Sequence, residues 1–192
     1  MPEEFLHYKL YKPYGVMSQV NLKGYGNKKG LSVLYSFPAG VHPIGRLDED
    51  SEGLLLMSSN PKFMAFVNGA KFEKEYYVQL DGNITPEAIL QMENGLELTI
   101  NKESVRTKPC RVIKLETEPP FQARVPAPRA GLHRPYSWIS ISLREGKHRQ
   151  VRKMTAAVGF PTLRLVRVRI GNIHLDSLQV GEVQALPSVV PI

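Results

Sequence analysis

The 192-residue chain carries 25 Lys and Arg against 18 Asp and Glu, a net charge of +7. Its length allows one sizeable core, in one lobe or two, and a composition 42% hydrophobic and 22% charged excludes a disordered or fibrous chain. No apolar run approaches the roughly 18 residues that cross a bilayer, MPEEF has neither a basic region nor an apolar signal core, and a single cysteine excludes an intramolecular disulfide framework.

Phe5 to Tyr11 has strand character and stops at Lys12-Pro13-Tyr14-Gly15, a turn in which Pro fixes φ and Gly supplies freedom. Asn21 to Gly30 is a basic, Gly-rich loop. Its Gly24-Tyr25-Gly26 completes no nucleotide fingerprint, so a phosphate-touching loop and a surface hairpin both remain open. Gly45-Arg46-Leu47-Asp48 reads as extended, which puts Arg46 and Asp48 on one face and Leu47 on the other. Leu54 to Met57 then read as a central strand covered on both sides. Ahead of it Asp48, Asp50 and Glu52 alternate. Turn chemistry or a solvated charge cluster is the plain reading, and hard-cation ligation the alternative. Arg46 counts against a metal, and the Gly and later Glu of a calcium loop are missing.

Asn60-Pro61 caps a helix whose Phe63, Phe66, Val67 and Ala70 are spaced to lie on the sheet. Lys74, Tyr76, Val78 and Leu80 share one strand face, and Thr85-Pro86-Glu87 starts a second helix that ends near Gly95. Glu97 to Glu118 reads as two strands, with Cys110 a buried structural residue in the second. Pro119 to Pro135 holds five prolines with Arg124, Arg129, His133, Arg134 and no acid, a stretch that forms neither helix nor sheet. Ile139, Ile141 and Leu143 restore strand alternation. Gly146 precedes a helix from about Lys147 to Val158, with Val151, Met154 and Val158 as its buried stripe and Arg149 and Arg152 on an adjoining face. The strand Thr162 to Ile170 puts Val166, Val168 and Ile170 on one side and Arg167 and Arg169 on the other. Leu163 and Leu165 break that parity, which predicts a bulge or a strand buried at one end only. Strands interleaved with a few helices place the chain in the α/β or α+β class.

The charge is concentrated. Between Arg144 and Arg169 eight basic side chains stand against one acid, Glu145, which accounts for the whole excess and marks a polyanion partner, nucleic acid first.

Four blocks in order, KPYG at Lys12, GRLDEDSEGLLLMSSN at Gly45, KEYYV at Lys74 and EGKHRQVRKMTAAVGFPTLRLVRVRIG at Glu145, resemble the signature blocks of the RsuA-type pseudouridine synthases. The resemblance runs from about Leu6 to Leu186. The Pro-rich insertion and SWISISLREG are most similar to the large-subunit ribosomal RNA synthase E branch of that family. The resemblance implies the pseudouridine synthase fold, a bent mixed β-sheet in two lobes with a central cleft. It also implies a single catalytic domain over 1–192, without the small N-terminal S4-like RNA-binding module that many members carry.

The implied reaction is site-specific isomerisation of uridine to pseudouridine in ribosomal RNA, with the base flipped out of its stack. Carried over residue by residue, Asp48 is the catalytic carboxylate, Arg46 fills the space the base leaves, Tyr76 stacks on the uracil, and Arg152 pairs with Asp48 to keep it charged. Lys74, Lys147, Arg149, Gln150, Lys153, Arg167 and Arg169 are the expected RNA contacts, together with the Pro-rich segment. No cofactor or metal is expected, because nothing is oxidised or hydrolysed. A monomer acting in the cytoplasm on large-subunit ribosomal RNA, with no membrane partner, completes the expectation. The competing functions are a non-catalytic RNA-binding or ribosome-assembly factor and a metal-dependent phosphodiesterase using Asp48, Asp50 and Glu52.

Overall fold

The computed structural model describes residues 5–22, 24–69, 72–128 and 135–187. It is a mixed α+β structure that divides into two compact units, one made by the chain up to Phe72 and from Val166 onward, the other by Glu73–Leu165.

The first unit is built on β3, Glu52–Ser58, in which every residue is buried. That agrees with the double-sided burial read from Leu54 to Met57. Its antiparallel neighbour β1, His7–Lys12, pairs from His7 with Ser58 to Lys12 with Gly53, and is itself flanked by β11, Val183–Leu186. On the opposite edge of β3 two strands share the length. The short β2, His42–Ile44, runs antiparallel to Leu56–Ser58, and the second half of β9, Thr162–Ile170, runs parallel at Glu52 and Gly53. β10, Ile173–His174, turns back on the end of β9. Helix α1, Pro61–Gly69, starts as expected: Asn60 Oδ1 accepts from the amides of Lys62 and Phe63 at 3.0 and 3.1 Å. Of the apolar stripe, Val67 is buried but Phe66 is exposed and pairs edge-on with Phe72 at 5.4 Å; Ala70 lies outside the described residues.

The second unit carries β4, Lys74–Asp81, against β8, Tyr136–Leu143, with β7, Arg111–Leu115, beyond it. Helix α2, Pro86–Glu93, has Thr85 Oγ1 accepting from Ala88 N–H at 3.3 Å and ends before Gly95. There φ is +85° and a Cβ would lie 2.4 Å from the Thr107 carbonyl oxygen, so only glycine fits. The core joins Val78, Leu80, Met92, Ile139, Ile141, Met154 and Leu165.

Three features depart from the expected elements. Glu97 to Glu118 holds three strands, not two: β5, Glu97–Ile100, and β6, Glu103–Arg106, form their own two-stranded sheet ahead of β7. The two-residue turn between them has Asn101 and Lys102 both at positive φ, the backbone that matches the strands' twist. Cys110 precedes β7 in irregular chain, half-buried, with its thiol donating to the Met92 carbonyl. Helix α3 is Gln150–Ala157, shorter than expected, because Arg149 at its N-cap is left-handed, with φ 53°.

In β9 the parity break at Leu165 coincides with the boundary between units. Leu165 packs in the second core, while Val166 and Ile170 are buried in the first unit.

Candidate active site

The pairing of β1, β3 and β9 aligns Lys12, Gly53 and Arg167 in one row across three strands of the first unit. Side chains in register share a face of the sheet. Gly53 contributes none, and it could not: φ is +102°, and a Cβ there would lie 2.3 Å from the Arg167 carbonyl oxygen. Two cations thus flank a glycine. Lys12 is fully buried, its ammonium donating to the carbonyls of Pro13 at 2.9 Å and Val16 at 2.6 Å. Arg167 is 3% exposed; its Nε donates to Leu54 O at 2.8 Å and its Nη1 to Arg46 O at 3.5 Å.

Burial pushes the Lys12 pKa down to about 8, with Arg167 pushing the same way, while Glu52, Asp50 and Asp48 oppose the shift. Asp48, Asp50 and Glu52 therefore act on a buried lysine. Among the described residues no group of three or more His, Cys, Asp or Glu is placed to hold a metal ion.

The segment that carries Asp48 is not a strand. It bends at Gly45, where φ is +70°, and continues in irregular chain to a turn at Glu49-Asp50. The expected alternation nevertheless holds, with Arg46 exposed, Leu47 7% exposed and Asp48 half-buried. Leu47 is fastened at both ends by one hydroxyl: its N–H donates to Ser18 Oγ at 2.9 Å, and Ser18 Oγ donates to Leu47 O at 2.7 Å. The turn is held by Ser51 N–H on Asp48 O at 3.0 Å and by Gly15 N–H on Glu49 O at 2.8 Å. KPYG thus has two local tasks, since the Lys12 charge is acted on by the acidic turn and Gly15 ties the turn's backbone.

The basic loop after it also folds onto this turn. Lys28 pairs with Glu49 at 2.6 Å, and Val16 and Lys29 form a parallel bridge, so the loop is no hairpin.

Tyr76 and Arg152 belong to the second unit. Tyr76, on β4, is half-buried and packs against the core. Arg152, on α3, is half-buried with Nη1 donating to Thr162 O at 3.5 Å. Of the expected RNA contacts, Lys74, Lys147, Arg149, Lys153 and Arg169 are half-buried. Lys147 pairs with Glu145 at 3.6 Å, Lys153 Nζ donates to Thr99 O at 2.7 Å, and Arg169 Nη1 to Gly171 O at 3.0 Å.

Two of the expected RNA contacts are buried. Gln150 is 4% exposed, and its amide oxygen accepts from Lys147 N–H at 3.0 Å while its nitrogen donates to Glu145, so it braces the start of α3. Arg167 is buried against backbone carbonyls.

The described part of the Pro-rich segment is docked rather than extended. Arg124 Nη1 donates to Leu163 O at 3.2 Å, Arg164 Nη1 to Gln122 O at 3.0 Å, and the Arg164 guanidinium stands 5.4 Å from the Phe121 ring centroid. Arg129, His133 and Arg134 lie outside the described residues. Ser18 and the buried roles of Lys12 and Arg167 escape a reading by pattern. Gly53 carries a usable signal, because a glycine inside a buried strand marks a close backbone approach.

Three comparisons with known proteins agree with one another. Residues 7–157 match the sequence model described as RNA pseudouridylate synthase. The ribosomal large subunit pseudouridine synthase E of Xanthomonas axonopodis pv. citri is 38% identical, over 88% of this chain and 87% of its own length. The protein of the same name from Xanthomonas campestris pv. campestris is 38% identical over 90% and 91%. A crystal structure of pseudouridylate synthase shares the fold at a TM-score of 0.74 and 24% identity, over 96% of this chain and 71% of that one. The chain belongs to the RNA pseudouridylate synthase family.

Proposed function

We propose that the protein isomerises a uridine of large-subunit ribosomal RNA to pseudouridine, with Asp48 as the catalytic carboxylate. The substrate class follows the 38% identical relatives, which are named for the large ribosomal subunit. The observation that carries the role of Asp48 is its setting. A half-buried carboxylate follows an anchored leucine, on a loop fastened by Ser18, by turn hydrogen bonds and by the buried Arg167, whose Nη1 reaches Arg46 O. Preorganised charge of this kind needs no rearrangement when charge develops in the transition state.

The reaction breaks the N1–C1′ bond, turns the uracil and joins C5 to C1′; the C5 proton leaves and N1 ends protonated, so no oxidant, reductant or water is consumed. An ionised carboxylate can serve at C1′ by stabilising positive charge, by adding as a nucleophile, or by taking a proton from the sugar. In this reading Arg46, exposed beside Asp48, fills the space left by the flipped base, Tyr76 stacks on the uracil, and Arg152 supplies the guanidinium that balances the carboxylate. The two units act as one catalytic domain, in a monomer working in the cytoplasm where ribosomal RNA resides.

The test is Asp48→Asn, which keeps size and removes charge. Wild type, with chelator present, is expected to convert uridine to pseudouridine in ribosomal RNA, and Asp48→Asn to lose turnover by several orders of magnitude while still binding RNA. Wild-type turnover by Asp48→Asn would sink the assignment. Absence of product from wild type would leave an RNA-binding factor, and loss of wild-type activity on chelation a metal enzyme.

A further inference from the structure

Arg167 sits in the most basic stretch of the chain, yet its side chain is turned inward. One nitrogen holds Leu54 O on β3, and another reaches Arg46 O, two residues ahead of Asp48. The side chain therefore bridges a rigid, fully buried strand and the loop that bears the carboxylate. A lysine has one ammonium and no fork, so it cannot reproduce both hydrogen bonds with the same geometry. Gly53 is the complement of this arrangement, since any side chain there would strike the Arg167 backbone.

From these hydrogen bonds the geometry points to Arg167 as a positioning residue for the isomerisation: beside the buried Lys12 in the row across β1, β3 and β9, it ties the Arg46–Asp48 loop to β3 and places its charge next to that loop. The inference rests on the reading of Asp48 as the catalytic group. It assigns Arg167 to the chemical step and removes it from RNA binding.

The neighbouring lysine supplies a readout that a merely structural role would not move. The charged groups acting on Lys12 are Glu52, Asp50 and Asp48, which favour its cation, and Arg167, which disfavours it. In wild type the rate should decline as the pH rises through about 8 and Lys12 loses its proton. Removing the Arg167 charge relieves Lys12 of that repulsion, so the decline should move to higher pH.

The experiment compares wild type, Arg167→Gln, Arg167→Lys and Asp48→Asn on one ribosomal RNA substrate, measuring kcat, KM, RNA affinity and the pH profile of kcat. Arg167→Gln is expected to lower kcat by about ten- to a hundred-fold, the scale of a small misplacement of a reacting group, with KM and affinity unchanged. Its alkaline limb should lie at higher pH. Arg167→Lys keeps a cation and is expected to fold and to recover part of the rate with the wild-type limb; should Arg167→Gln not fold, the partial loss in Arg167→Lys at unchanged KM carries the test. Raised KM at unchanged kcat would return Arg167 to the RNA interface and overturn the inference. So would a lowered kcat whose alkaline limb stays in place in Arg167→Gln. Activity in Asp48→Asn would instead overturn the underlying assignment.

Discussion

Ser18 and Leu47 are joined by two hydrogen bonds through a single hydroxyl, which accepts from the Leu47 N–H at 2.9 Å and donates to the Leu47 carbonyl at 2.7 Å. Both Leu47 groups are buried next to Asp48, so Ser18→Ala leaves a donor and an acceptor without that hydroxyl. Stability is expected to fall by about 1–3 kcal/mol, the usual cost of an unsatisfied buried polar group. Thermal unfolding reads that loss, and kcat should fall in parallel while RNA affinity stays. A wild-type melting temperature would mean that the turn and Arg167 hold the loop without the hydroxyl.

Gly53→Ala is predicted to be far more damaging than an ordinary Gly-to-Ala change in a strand. Its φ of +102° is strained for any side chain, and the added methyl would meet the Arg167 backbone at 2.3 and 2.6 Å. Neither neighbour is a flexible tip that can give way. Loss of soluble protein, or a melting temperature lowered by well over ten degrees, is expected, since about 1 kcal/mol shifts Tm by a few degrees at this size. A small change would show that β3 and β9 can part here without cost.

What could be read from the sequence and what could not divide along a physical line. Local chemistry was legible: Asn60 and Thr85 cap the helices they were expected to cap, Leu54 to Met57 are buried on both faces, and Leu47 alternates with Arg46 and Asp48. Non-local chemistry was not. Arg167 reads as surface charge until the register places it beside Gly53, and Lys12 reads as a turn residue until the same register buries it in the sheet. The break at Leu163 and Leu165 was visible, but its cause was a strand that serves two cores, which no single period can express. Arg149 shortens α3 at its start through a left-handed backbone that arginine does not advertise.

A buried lysine and a half-buried thiol give the stability opposite pH slopes. Lys12 falls from 10.5 to about 8 on folding, so between those values the unfolded chain holds the extra proton and stability rises with pH. Cys110 is raised by burial from 9.0 to about 12, so there the folded chain holds the extra proton and stability falls as pH rises. Of the two, the lysine dominates between pH 8 and 9. Wild type should therefore gain stability over that interval and Lys12→Met should not, as denaturant midpoints at the two values would reveal. The same thiol should resist alkylation at pH 8 in native protein and react on unfolding.

RNA affinity should fall steeply with salt, because each neutralised phosphate releases condensed counterions. The basic stretch contributes unequally to that slope. Arg167 is buried against carbonyls, whereas Lys147 and Arg149 are half-buried at the start of α3. Neutralising the latter pair as Lys147→Gln with Arg149→Asn removes two charges, and asparagine tolerates the left-handed φ of 53° at position 149. The slope of log affinity against log salt is expected to flatten by about 0.7 for each single-strand phosphate that the variant no longer neutralises. Arg167→Gln should leave the slope unchanged. A slope that flattens in Arg167→Gln and not in the double variant would reverse the two assignments and place the phosphates along β9.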